Sequence, residues 1–173
     1  MRNKWGIQIT NITEAVKWRN DTIGAWCYYN NDATNNTKYG KLYNWYAVSS
    51  TKNGGKNVCP TGWHLPTADE WNVLTEYLGG DTIAGNKMKE VGTTSWKITN
   101  NKITNASLFT GLPGGMRNNE GNFFEFGTMG TWWTSGEYFA GFAFYNTMQI
   151  TDSQLTSLFI FQKNGLSVRC LKD

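Results

Sequence analysis

The chain has 173 residues; Phe, Trp and Tyr make up 15% of them, charged residues only 17%, and the net charge is +3. That length suits a single domain, residues 1–173, and the ring content predicts a core of large side chains rather than many aliphatic ones. The basic residues are scattered, so no nucleic acid is expected as a partner, and no apolar run nears a membrane span, so no membrane insertion is expected. Met1 opens no signal-peptide pattern.

Three cysteines (Cys27, Cys59, Cys170) and one histidine (His64) stand apart from each other, without a Cys-x-x-Cys pair. Zinc wants such ligands clustered, so neither a metal nor another cofactor is assigned. One disulfide with one free thiol and three buried reduced thiols both fit this count.

In chain order, Ile12 to Arg19 is a short helix candidate, with Asn11 and Glu14 spaced as a capping box. Trp26 to Tyr29 reads as a buried strand, and Asn30 to Lys38 as a loop rich in turn formers. Lys41 to Val48 is aromatic and buried, of undecided period. Thr67 and Glu70 then form a Thr-x-x-Glu box ahead of a helix whose inward face is Ala68, Trp71, Leu74 and Leu78, stopped by Gly79-Gly80. Asp81 to Val91 predicts a second helix anchored by Met88, and Thr93 to Asn105 a polar loop around a buried Trp96.

Gly111 to Ser135 packs Gly, Phe and a Trp pair into a stretch that reads as turns pinned to a core, neither a plain helix nor a plain strand. Trp132 and Trp133 are neighbours, so on a strand one would enter the core and the other would line a ligand surface. Strands are predicted at Phe142 to Met148, Leu155 to Phe161 and Leu166 to Leu171, the last two joined as a hairpin through Asn164-Gly165. Helices first and an antiparallel sheet after make the fold class α+β.

Several ordered stretches resemble one family: Leu42-Tyr43-Asn44-Trp45-Tyr46-Ala47-Val48, Cys59 to Thr67 with Glu70-Trp71, Leu112-Pro113-Gly114-Gly115 with Arg117, Trp132-Trp133-Thr134-Ser135, and Gly165 to Cys170. Together they resemble the Fibrobacter succinogenes major paralogous domain from about residue 20 to the end of the chain. The resemblance implies a C-type-lectin-like fold with two main helices, a small antiparallel sheet and a long loop-rich insertion. That fold is shared with formylglycine-generating enzymes and with the variable proteins of diversity-generating retroelements. A place on a bacterial cell surface or phage particle is expected with it, and a Cys59–Cys170 disulfide is the expected pairing, tying the middle of the chain to its end. The thiol and copper chemistry of the formylglycine-generating relatives does not carry over, because the cysteines stand at positions of a non-catalytic branch.

Between the family's Gly landmarks the residues are assorted, as a diversified binding surface would leave them. The ligand-binding candidates are Asn118, Asn119, Phe124, Glu125, Thr128, Met129, Thr131, Tyr138, Phe139, Phe142, Phe144 and Asn146. Rings for contact area mixed with small polar groups are the composition of a paratope. Phe123 and Phe126 are expected in the core. The oxygens of Asn118, Asn119, Glu120, Asn122 and Glu125 invite calcium, but turn formation explains them better. His64, with no nucleophile at catalytic spacing, reads as structural. The expected function is non-catalytic binding of a protein or glycan on another cell or particle through residues 118–146. The competing readings are a display module with buried rings and a metal or thiol enzyme.

Overall fold

The computed structural model describes residues 9–52, 58–92, 94–97 and 102–173. The first layer is β1 (Thr10–Asn11), α1 (Ala15–Asn20), β2 (Ala25–Cys27), α2 (Asn36–Tyr39) and β3 (Leu42–Tyr43), with β1 parallel and β3 antiparallel to β2. β4 (Trp63–His64) leads into α3 (Ala68–Tyr77) and α4 (Asp81–Met88). A two-stranded piece, β5 (Met116–Arg117) with β6 (Phe123–Phe124), precedes the antiparallel meander of β7 (Met129–Phe139), β8 (Phe142–Gln149) and β9 (Thr156–Phe161). β10 (Leu171–Lys172) returns to pair with β4. The class is α+β, with few helices and several small sheets.

α3 starts where its residues say it should. The Thr67 hydroxyl accepts from the Glu70 N–H at 3.2 Å, and the Glu70 carboxylate accepts from the Thr67 N–H at 2.8 Å. Trp71, Thr75 and Leu78 face inward, and Gly79, at φ 94°, turns the chain out of the helix. α4 ends at Met88, short of Val91, and Met88 is fully buried, as is Trp96.

The sheet of β7, β8 and β9 divides the core. On one face Trp133, Ala143 and Tyr145 pack with Trp45, Val48 and Leu166; on the other Trp132 and Met148 pack with Trp71, Met88 and Trp96. A third cluster surrounds Trp18. Buried indoles here also tie segments together. The N–H groups of Trp18, Trp26, Trp45, Trp96 and Trp133 each donate to a backbone carbonyl, of Lys163, Ile9, Thr134, Gly111 and Tyr43 in turn. Each ring thus gains its apolar burial without stranding its polar end.

Four expectations from sequence are corrected. No capping box forms at Asn11 and Glu14: Asn11 is taken into β1 opposite Trp26, and α1 begins at Ala15 with no side-chain cap. Gly111 to Ser135 does contain a plain strand, since β7 begins at Met129. Neither Trp132 nor Trp133 lines a surface; they are 5% and 0% exposed because both faces of β7 are covered there. The hairpin through Asn164-Gly165 does not form. β9 pairs with β8 instead, while Leu166 bridges Tyr43 and Gly165 exchanges backbone bonds with Arg117. Gly165 is needed for a close approach: a Cβ there would sit 2.8 Å from the Trp18 ring. The predicted polar loop 93–105 lies in part outside the described residues, at 93 and 98–101.

Candidate functional site

β7 runs beyond the core. From Gly130 to Thr134 it is buried; from Glu137 to Phe139 its side chains are exposed. The register with β8 shifts on both sides of Glu137, and such bulges re-aim side chains. Here they let the consecutive residues Tyr138 and Phe139 reach one ring cluster. Tyr138 stacks on Phe159 with centroids 4.2 Å apart and meets Phe144 edge-on at 5.0 Å. Phe139 lies 4.5 Å from Phe142, which lies 4.3 Å from Phe161.

The sheet register explains the assembly. Phe142 is directly opposite Phe161 and Phe144 opposite Phe159, and residues two apart share a face. On the reverse face Ala143 and Tyr145 enter the core, with Ile160 packed against it. Along the ring face itself the next β8 residues are Asn146 and Met148, both buried. The Asn146 side-chain oxygen accepts from the Ser157 hydroxyl, and Met148 lies in the core beside α4's Met88. One face of one sheet is therefore half covered and half bare. Tyr138, Phe139, Phe159 and Phe161 are 47%, 50%, 48% and 46% exposed.

The structure separates the candidates into two groups. Tyr138, Phe139, Phe142 and Phe144 belong to the bare face. Asn118, Asn119, Phe124, Glu125, Thr128 and Met129 lie before or at the other end of β7, about 30 Å away along an extended strand. That second group is tied down locally. The Asn118 side-chain oxygen accepts from the N–H groups of Glu120 and Asn122, which makes it a turn former. Asn119 donates to Glu120, and Glu120 pairs with Arg19 of α1. Glu125, at φ 62°, accepts the Thr128 hydroxyl and the backbone N–H groups of Thr128 and Met129, closing its own turn. Phe124 is the exposed ring of this region, at 44%. Phe123 and Phe126 are half-buried against Tyr29.

Two candidates are removed as surface residues. Thr131 is buried, its hydroxyl donating to the Gly115 carbonyl at 3.0 Å. Asn146 is fully buried beneath the boundary of the ring face. The candidates of 118–146 thus fall into two separate groups, with Thr131 and Asn146 buried between and beneath them. Sequence reasoning also missed Phe159 and Phe161. Their signal was present, since two rings at alternate positions of a predicted strand follow the Phe142 and Phe144 pair of the preceding one. A groove of about 560 Å³ beside α3, lined by Trp71, Leu74, Tyr77, Phe109, Arg169 and Leu171, was missed as well.

His64 Nδ1 is 2.6 Å from the Asp173 carboxylate and Nε2 is 2.8 Å from that of Glu70. Asp173 and then Glu70 hold its pKa above the ordinary imidazole value. Both ring nitrogens are thereby occupied. Cys59 and Cys170 form a disulfide. Cys27 is buried, and burial pushes its thiol up to about 11, against the pull of Arg117. No group of three or more potential metal-ligating side chains occurs among the described residues. No helix among them is long and apolar enough to cross a membrane.

An α+β domain with two tryptophan-rich core layers and a bare aromatic half-sheet is thus the class of protein in hand. The chain belongs to the Fibrobacter succinogenes major domain family, whose model matches residues 2–172. No curated protein and no solved structure matches it.

Proposed function

We propose that this domain is a non-catalytic binding module that receives a protein partner on the bare aromatic half of the sheet. The observation that carries this reading is the cluster of Tyr138, Phe139, Phe142, Phe144, Phe159 and Phe161, in mutual contact, with Tyr138, Phe139, Phe159 and Phe161 about half exposed. Contiguous apolar surface of this kind marks interaction sites, and aromatic anchors dominate binding energy. The rings lean on each other and on a paired sheet, so little freedom is lost when they are covered. A display module without a ligand would bury them. An enzyme would want a reactive thiolate or a free base, and a thiol held near 11 and an imidazole bracketed by carboxylates support neither role.

The same reading extends to the C-type-lectin-like fold, supported by the β4–β10 closure and by helices preceding a terminal antiparallel sheet. It extends also to a variable protein of a diversity-generating retroelement, for which the exposed rings of Tyr138 and Phe139 with the half-buried Phe142 and Phe144 are the support. A template repeat and a reverse transcriptase gene beside the encoding gene are expected; a locus lacking both removes that part.

The test selects binders from a displayed protein library and, in parallel, from a glycan array. Protein binders are expected, and Phe139→Ala with Phe142→Ala should weaken them by about a hundredfold, as loss of two hot-spot rings does. Unchanged affinity in the double variant would overturn the reading, and glycan binding alone would replace the protein partner with a sugar.

A further inference from the structure

β9 is the outer strand of its sheet, and its ladder to β8 can be phased from one bond. The Gln162 N–H donates to the Gly141 carbonyl at 2.8 Å, which marks that pair as a hydrogen-bonded one. Such pairs alternate along an antiparallel ladder. Ile160, Leu158 and Thr156 therefore bond to β8, opposite Ala143, Tyr145 and Thr147. Ser157, Phe159 and Phe161 turn their backbone N–H and C=O groups outward. The Phe161 carbonyl accepts from Asn164 at 2.9 Å; no described residue outside β8 shares a backbone bond with Ser157 or Phe159.

Proteins normally blunt such an edge with charge, proline or a bulge. This edge has none of them. Ser153 to Gln162 holds no charged residue and no proline, and the β8–β9 register is unbroken. Leu158, Phe159 and Phe161 are each close to half exposed along it.

We propose that β9 is the seam of a twofold dimer, pairing antiparallel with β9 of a second copy around Phe159. In that register Phe159 faces Phe159 of the second copy and exchanges both backbone bonds with it, and Ser157 faces Phe161. A second copy fits because the strand is self-complementary. Phe159 meets its own copy and Leu158 meets Ile160, Ser157 sits opposite Phe161, and no like charges oppose each other across a ten-residue neutral run. Two three-stranded sheets become one of six strands, and the ring faces become continuous without being covered. A half-exposed ring or leucine offers roughly 100 Å², so about 600 Å² across two copies is the ceiling for these side chains, and the seam buries less than that because the ring faces stay bare. That lies below the ~1,000 Å² of a specific interface, which predicts a weak, reversible dimer. The inference stands on the backbone edge and not on the ring face being a binding surface.

Sedimentation of the full chain over a range of concentrations tests it. The mass is expected to rise from 19.6 kDa toward twice that value. Phe159→Glu and Phe159→Lys should each stay monomeric where the unaltered chain dimerises, because like charges then face each other at the axis. Mixing the two variants should restore the dimer. Amide exchange in the unaltered chain gives a readout that needs no variant: Ser157 and Phe159 should become slower-exchanging as concentration rises. A constant 19.6 kDa mass, a dimer that persists in either charged variant alone, or a mixture that stays monomeric would overturn the seam. A monomer that still loses its binders on Phe139→Ala would sink the seam and leave the ring face standing.

Discussion

Arg117 is fully buried, and among the described residues no carboxylate pairs with it. Its guanidinium donates from Nε to the Gly121 carbonyl at 3.0 Å, from Nη1 to Ile12 at 2.6 Å and from Nη2 to Thr13 at 2.8 Å. The rings of Trp18 and Phe123 lie 4.5 Å and 4.9 Å from its centre. Burial pulls its pKa below the ordinary guanidinium value, with Cys27 acting the other way. Backbone dipoles and ring faces do the work of a counter-ion, and only a planar fork reaches three carbonyls at once. Lysine cannot. Arg117→Lys should cost about 2–4 kcal/mol in urea unfolding, since at least two buried carbonyls lose their donor at about 1–3 kcal/mol each. A loss under about 0.5 kcal/mol, the range of ordinary surface changes, would place Arg117 outside the core network. Lys89 is a smaller instance, buried under Trp96 with its ammonium on the Asp152 carbonyl at 2.5 Å.

At the scale of elements, the start of α3 joins three pieces of chain. Glu70 closes the capping box with Thr67 and also meets His64 of β4, whose other nitrogen meets Asp173 beyond β10. Burial alone would raise the Glu70 pKa, but hydrogen bonds from Thr67 and His64 outweigh it and hold the carboxyl low. His64 is raised. Its contribution is therefore whole below about pH 6.5, the ordinary imidazole value, and is lost as pH rises through the raised native value. The Glu70 share is lost in the opposite direction, as pH falls through the carboxylate range. With the imidazole 35% exposed, the clasp is worth about 1 kcal/mol at most. Between pH 6 and 8.5 the unaltered chain should lose that amount relative to His64→Asn in urea unfolding. Parallel pH profiles for the two chains would show that His64 carries no linkage.

α3 was legible because its signals are local: a box, a period and a glycine stop within one segment. The buried anchors Met88 and Trp96 were legible for the same reason. β7 was not, because alternation reveals a strand only when one face is wet, and Gly130 to Thr134 is buried on both. Gly130 looked like punctuation but is packing: a Cβ there would lie 2.3 Å from the Trp132 ring and 2.7 Å from the Leu112 carbonyl. The Asn164-Gly165 turn misled because bonds to β5 and β3 overrode a local preference. Four of the six rings of the face were legible, Tyr138, Phe139, Phe142 and Phe144. The rest depended on which strand β9 would choose, and that is a long-range matter.

Across the whole molecule, the chain is closed by one covalent link between residues 111 positions apart. Cys59 lies in the core cluster of Trp45 and Trp133, and Cys170 packs against it. The adjoining β4–β10 ladder and the Asp173 N–H on the Gly62 carbonyl at 3.0 Å hold the same two segments together without it. The link therefore restrains the unfolded chain more than it shapes the folded one. Reduction should leave the near-ultraviolet tryptophan signal in place while lowering stability by about 2–4 kcal/mol. For a chain of this length that is a fall in Tm of roughly 5–15 °C. Thiol titration separates this from other causes. The native protein should show no fast-reacting thiol, because Cys27 is buried and its thiol is held near 11. Denaturant alone should expose one thiol, and denaturant with reductant three. Three thiols in denaturant without reductant would mean that the closure rests on the β4–β10 ladder and the core alone, and the stability difference on reduction should then vanish.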